Sequence, residues 1–201
     1  MMVAIITGDI VNSKLVEAEK WISTLKSTLN QYGQTPKFWE IYRGDSFQLR
    51  VPVEKAIMTT LHIKSTIKQF DNLDVRAGLG IGDVEYNSKR ITESNGSAFV
   101  RSGECFDALK KQNIMFKSGS EDLNQAINTM LNLSLYISDK WSVTVSEIIK
   151  LAIERPELKQ KELAEILSKS QSNISEALKR GGFDEIMRMN AYYEEQILKL
   201  C

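Results

Sequence analysis

The sequence predicts an α+β protein. A ferredoxin-like α/β unit is expected over residues 1–118, then an all-α segment over 119–201 containing a helix-turn-helix at about 159–181. Three observations predict it. Up to Phe116, apolar runs of strand length alternate with stretches of helical spacing, in the order β-α-β-β-α-β of a split βαβ unit. Beyond Lys117-Ser118-Gly119-Ser120, the best candidate linker, only helical spacing survives. Within that second part, two short amphipathic stretches flank a three-residue turn, Ser168-Lys169-Ser170.

Residues 2–7 form an apolar run ending in Gly8-Asp9, a buried first strand. Residues 14–32 carry Leu15, Trp21, Ile22, Leu25 and Leu29 at helical spacing. Residues 37–42 and 47–51 read as strands around Arg43-Gly44-Asp45-Ser46, and Gly-Asp between apolar runs is a hairpin signal. Pro52, which cannot donate to a ladder, ends the second of them. Residues 53–70 read as a second amphipathic helix. Residues 73–84 alternate Val75, Ala77, Leu79 and Ile81 with several glycines, a further strand. A polar loop over 83–96 leads to a helix over 97–111 and a short strand over 113–116. Helices follow over 123–137 and 141–153, the latter with Ser142 as its cap, and Pro156 separates them from the helix-turn-helix. The last helix, 183–200, has Ile186, Met189, Tyr193, Ile197 and Leu200 along one side. That stripe suits either a dimer contact or a cover for its own domain.

Leu163, Ile166 and Leu167 form the apolar face of the helix before the turn, and Ala164 is small where two helices cross closely. Ser170 is a good N-cap for the helix after it. Ile174, Ala177 and Leu178 then face inward at i, i+3, i+4. Gln171, Ser172, Asn173, Ser175 and Lys179 face out and are the candidate DNA contacts. A recognition helix puts its N-terminal residues against base edges, and Gln and Asn bond adenine bidentately in the major groove. A helical hairpin that only packs would show the same apolar spacing. The amide- and hydroxyl-rich start favours DNA, because a merely solvated helix tends to carry Glu and Lys there. Against it, acidic and basic residues balance over 155–201, so one copy attracts phosphate weakly.

Composition excludes other classes. Lys+Arg and Asp+Glu number 26 each, so there is no global pull toward nucleic acid or anionic lipid. No apolar run nears the roughly 18 residues that span a bilayer. The N-terminal run lacks the charged start and cleavage site of a signal peptide. A cytoplasmic protein with no membrane partner is expected. Cys105 and Cys201 read as a reduced pair rather than a disulfide, and no CxxC or Cys/His cluster offers a zinc site. His62 is the single histidine and lies beside the stripe Ile57, Leu61 and Ile67. A packed or surface role is expected for it, which sets Ser/His/Asp chemistry aside.

In a split βαβ sheet the third strand lies between the first two and runs antiparallel to the first. The end of strand one then approaches the turn that opens strand three, bringing Asp9 close to Asp45. Two carboxylates on adjacent turns suit Mg²⁺, which takes few protein ligands and completes its shell with water and phosphate oxygens. Asp is also favoured by turn geometry alone, and that reading stays open for both residues.

Four stretches resemble the SatD family: Thr7-Gly8-Asp9-Ile10-Val11-Asn12-Ser13, Tyr42-Arg43-Gly44-Asp45-Ser46-Phe47-Gln48, Val75-Arg76-Ala77-Gly78-Leu79-Gly80-Ile81-Gly82 and Glu93-Ser94-Asn95-Gly96-Ser97-Ala98-Phe99-Val100-Arg101-Ser102-Gly103-Glu104. The resemblance runs the whole chain and includes Gln171-Ser172-Asn173-Ile174-Ser175. More distantly, Asp9-Ile10-Val11-Asn12-Ser13 is similar to the first metal motif of class III nucleotidyl cyclases. Gly44-Asp45 resembles their second metal aspartate, and Val75-Arg76-Ala77-Gly78 with Gly82 the strand that follows. This second resemblance implies a nucleotidyl-cyclase-like domain in which Asp9 and Asp45 hold the metal, with Mg²⁺ as cofactor. Asn12, Ser13, Arg43, Ser46 and Arg101 are then the candidate nucleotide contacts. Arg suits bidentate phosphate geometry, and surface ion pairing is the alternative for Arg43, Ser46 and Arg101.

The chain also departs from the cyclase pattern. Ile41 stands where a purine-selecting lysine is expected. Val100 and Glu104 stand where an asparagine and an arginine would brace the transition state, and Arg101 is out of register. A Glu where a cation should meet phosphate charge opposes catalysis, so no catalytic residue is assigned and binding is expected rather than turnover. The leading expectation is a transcriptional regulator whose N-terminal domain senses a nucleotide or metal and whose C-terminal domain binds DNA. Cyclase-like domains pair, and helix-turn-helix proteins read two half-sites, so a homodimer is expected. The second expectation is a metal-dependent nucleotidyl transferase or hydrolase using Asp9 and Asp45. A third is an interaction module whose helix pair packs against a protein.

Overall fold

The N-terminal apolar run forms the middle of the sheet. In the computed structural model, which describes residues 2–200, β1 (Met2–Val11) runs antiparallel to β3 (Ser46–Val51) on one side and to β4 (Asp74–Asp83) on the other. Helices cover both faces of it. Val3, Ala4, Ile5 and Ile6 are therefore all buried, and the strand reads as a continuous apolar run instead of an alternation. β2 (Trp39–Tyr42) pairs antiparallel with β3, and β5 (Ile114–Lys117) adds parallel to β4, giving the order β2-β3-β1-β4-β5. The chain is mixed α+β, with one five-stranded sheet and eight α-helices among the described residues.

The first helix is shorter than its periodicity suggests. Ser13–Leu15 form a 3₁₀ turn, the chain extends at Val16, and α1 (Ala18–Asn30) starts only then. Leu15 is exposed rather than packed.

One face of the sheet carries α3 (Ser97–Ala108). Gly78, Gly80 and Gly82 recur at every second residue of β4 and so share this face. A Cβ on Gly80 would lie 2.2 Å from the carbonyl oxygen of Ala98, and one on Gly78 2.4 Å from that of Ser102. The three glycines let the α3 backbone sit directly on the strand. Val3, Ile5, Ile91 and Ala98 form the small core around it.

The opposite face carries α2 (Ala56–Ile67), and here the structure departs most from the sequence reading. An amphipathic helix is expected, yet every residue except Met58 is buried. α1 lies beside it and α5 (Val143–Glu154) packs on its outer side. The polar stripe is buried because it is small or partnered. Lys64, 0% exposed, places its ammonium 2.7 Å from Asp74 and 2.6 Å from Asp139. His62 is buried with its Nε2 3.1 Å from Glu154 and its Nδ1 2.7 Å from the Tyr32 hydroxyl. A carboxylate only accepts, so Nε2 carries a proton and donates.

One hydrophobic core runs from Ala4 to Ile197 and includes residues on both sides of the expected 118/119 boundary. Residues 117–120, which the sequence predicts as a linker, are tied down. Ser118 is buried and its N–H donates to Asn124 Oδ1 at 2.6 Å, while Ser120 caps α4 (Glu121–Ser138) by accepting from the Leu123 N–H. α8 (Phe183–Leu198) packs back across the sheet unit. Its Tyr193 hydroxyl donates to the Val53 carbonyl at 2.5 Å, and its ring meets Phe116 edge-on at 5.6 Å. Ile186, Met189, Tyr193 and Ile197 are thus buried within the chain. These four stripe residues cover their own chain, the sheet unit included, while Leu200, placed with them by spacing, is exposed. Among the described residues, no helix is long and apolar enough to cross a membrane.

Candidate functional site

Two places gather the residues singled out above. The first is the helix pair α6 (Gln160–Ile166) and α7 (Gln171–Arg180). Leu163 and Ala164 of α6, and Ile174, Ala177 and Leu178 of α7, are buried, and α7 packs on α5. Ile166, expected to face inward, is 56% exposed. The inward stripe of α6 runs instead through Leu163, Ala164 and the partly buried Leu167.

The turn between these helices is closely defined. Ser168 has φ +51, a left-handed conformation. The Lys169 N–H donates to the Ala164 carbonyl at 2.9 Å, and the Ser168 N–H to that of Glu165 at 3.2 Å. This is the Schellman ending, which usually has Gly where Ser168 stands. Ser170 caps α7, its hydroxyl accepting from the Asn173 N–H at 3.2 Å. Lys169 reaches Glu147 of α5 at 3.2 Å, and the Trp141 Nε1–H donates to the Gly181 carbonyl at 2.9 Å. Both ends of α7 are therefore anchored to the body of the protein. Gln171, Ser172, Asn173, Ser175 and Lys179 are all exposed.

The second place is the cleft at the end of β1. Strand register puts Asp9 opposite Ser46 of β3 and opposite Arg76 of β4. The Ile10 N–H donates to the Asp45 carbonyl at 3.1 Å. Asp9 and Asp45 do line one cleft, of about 480 Å³, together with Asn12, Ser13 and Arg76. The hairpin that carries Asp45 turns through Arg43 at φ +55 and Gly44 at φ +91. Consecutive positive φ values give a turn the twist that matches its strands. Ser13 donates its hydroxyl to Asp45 Oδ2 at 2.6 Å, and Ser46 donates to Oδ1 at 3.4 Å. Asn12 is an exposed left-handed residue whose Nδ2 donates to the Asn72 carbonyl at 3.0 Å. Arg43 is exposed at the hairpin tip.

Arg76 is the residue that sequence reasoning missed. Its Nε donates to Asp9 Oδ1 at 3.0 Å and its Nη2 to Oδ2 at 2.5 Å, a bidentate pair. Its guanidinium also lies 5.7 Å from the centre of the Phe106 ring of α3. The alternation of β4 fixes which face Arg76 occupies, but only the β1–β4 register sets it against Asp9. Arg101 is not brought to this cleft. It donates to the Ile81 carbonyl at 2.5 Å, five residues up β4 from Arg76, which is roughly 16 Å along an extended strand.

Among the described residues, no three His, Cys, Asp or Glu side chains converge as a metal group would need. The cleft offers two carboxylates, and the Arg76 guanidinium holds both oxygens of one. A cation at Asp9 would sit against that positive charge. As arranged, these residues do not fit a divalent ion. Cys105 is no nucleophile: burial pushes its thiol up to about 12, so it is not a thiolate at neutral pH. Cys201 lies outside the described residues.

The model of the SatD family matches residues 2–197 of the chain. No curated protein matches it.

Proposed function

The chain belongs to the SatD family, and we propose that it is a sequence-specific DNA-binding transcriptional regulator. In this reading α6 and α7 are the two helices of a helix-turn-helix, and α7 enters the major groove. The observation that carries it is the start of α7. Gln171, Ser172 and Asn173 stand exposed on a Ser170-capped helix whose apolar side is locked onto α5. Amide side chains held on a rigid element suit bidentate reading of adenine. Lys179 and Arg180, exposed in the last turn, suit phosphate. The sheet unit, of ferredoxin-like order, is the sensing part, for which the Asp9–Asp45 cleft is the candidate nucleotide pocket. Two copies would read half-sites about 34 Å apart, one helical turn.

The test is a selection of fragmented host DNA against random competitor at near-physiological salt. Retention of a few sequences that share paired half-sites supports the reading. Asn173→Ala should then cost roughly 1–3 kcal/mol of discrimination. Equal loss on specific and random DNA would remove the base-reading role. A particle of monomer mass with and without DNA would remove the homodimer.

A second reading has one observation in its favour. Asp9 and Asp45 line one cleft, and a Mg²⁺-dependent nucleotide-processing enzyme would need both. It also needs Arg76 to leave Asp9. Mn²⁺ titration of the parent and of Arg76→Ala separates the cases. Binding that appears or tightens in the variant, with nucleotide turnover in the parent, favours the enzyme; silence in both removes it.

A further inference from the structure

A recess of about 700 Å³ lies away from the Asp9 cleft, where α2 and α5 meet α6, α7 and α8. Met58, Ile153, Leu163, Leu178, Phe183 and Met187 give it an apolar lining. Its size and lining are those of small-molecule pockets, which occur between the helices of bundles. Two polar atoms in its wall are buried without a hydrogen-bond partner, Thr59 Oγ1 and Asn190 Oδ1, and only the second is a pure acceptor. Asn190 is 4% exposed. Its Nδ2 donates to Glu194 at 2.9 Å, but its Oδ1 is buried and accepts from nothing. Buried acceptors are almost always satisfied, because losing water without a replacement donor is costly. Glu194, the neighbour on the same helix face, is an acceptor too and offers Oδ1 no proton. The charged residues around the recess are of both signs and nearly balance, Lys55, Arg155 and Lys159 against Asp184 and Glu194, so no strongly charged ligand is called for.

We propose that this recess binds a small uncharged molecule with an apolar body and a single hydroxyl or N–H donor, which Asn190 Oδ1 accepts. The apolar body replaces water on the lining, and the donor satisfies Asn190 Oδ1. The position has a consequence. Leu163 belongs to α6, Leu178 to α7 and Met58 to α2. A molecule seated there touches both helices of the exposed pair and the helix that supports the sheet. Its occupancy therefore stabilises one seating of α6 and α7 on the body.

A matched pair of probes tests the site: 1-naphthol, which carries the donor, and 1-methoxynaphthalene, which has the same rings without it. Titration calorimetry on the full chain, without DNA, reads binding whatever the helix pair does. The expected result is 1:1 saturation by 1-naphthol, at least tenfold tighter than by the ether. Asn190→Leu should abolish that preference while the ether still binds, and Met187→Trp should block both. A measurement on the parent alone uses methyl-labelled methionines. The Met58 and Met187 methyl resonances should shift together on adding 1-naphthol. No saturation and no methyl shift up to millimolar probe would overturn the site, and equal affinity for the two probes would overturn the role of Asn190.

Discussion

Replacing Glu154 by Gln tests how the helical layer is held to the sheet layer. Glu154 is the last residue of α5. It accepts from His62 of α2 at 3.1 Å, from Gln31 beside α1 at 2.9 Å, and from Lys150 at 2.8 Å. The hydrogen bond from His62, followed by those from Lys150 and Gln31, outweighs burial and brings the carboxyl down to about 2 from an ordinary 4.5. The side chain is 17% exposed, so solvent screens little of this. A carboxyl depressed in the folded state stabilises the fold above its unfolded value and loses that contribution as pH falls through the folded one. The stabilisation is thus complete above about pH 5 and fades down to about pH 2. At ~1.4 kcal/mol per pH unit the drop amounts to about 3 kcal/mol at neutral pH, and about 1 kcal/mol survives at pH 3. Glu154→Gln keeps the shape and removes the charge. Urea unfolding at pH 7 should show the variant about 3 kcal/mol less stable, and at pH 3 about 1 kcal/mol. An equal deficit at both pH values would refute the reasoning, because a packing defect does not titrate.

Three further outcomes follow from named contacts. Lys64→Met leaves Asp74 facing an apolar chain; Lys68, 3.3 Å away, and the 36% exposure of Asp139 soften the loss. About 3 kcal/mol should still disappear, seen as a lower urea midpoint at unchanged slope. Gly80→Ala drives a methyl into the Ala98 carbonyl, 2.2 Å away in the backbone of α3; about 3 kcal/mol of destabilisation is expected by thermal melt. Ser170→Ala removes the α7 cap and should cost about 1 kcal/mol, with faster amide exchange at Asn173 as its local signature.

Much of the molecule was legible because it is local. The apolar run of β1, the period-two glycines of β4, the turn at Arg43-Gly44 and the caps at Ser142 and Ser170 each depend on a few neighbouring residues. The mixed α+β class follows from those periods. That Asp9 and Asp45 line one cleft was also within reach, because strand order alone brings the two backbone segments together.

The rest was decided by partners far along the chain. Arg76 is 67 residues from the carboxylate that it holds, and the pairing depends on a register that a one-residue slip would undo. Arg101 sits on α3, and its guanidinium ends at the Ile81 carbonyl, near the other end of β4 from Arg76. The polar stripe of α2 looks like a solvent face until Glu154 and Asp139 arrive to pair with His62 and Lys64. Residues 117–120 look like a linker until Asn124 binds Ser118 and α8 closes over Val53 and Phe116. Local periods and turn chemistry set which elements form, because they act over a few residues. Only tertiary packing could set which polar groups end up buried and paired, because each such pair joins segments that the chain itself keeps apart.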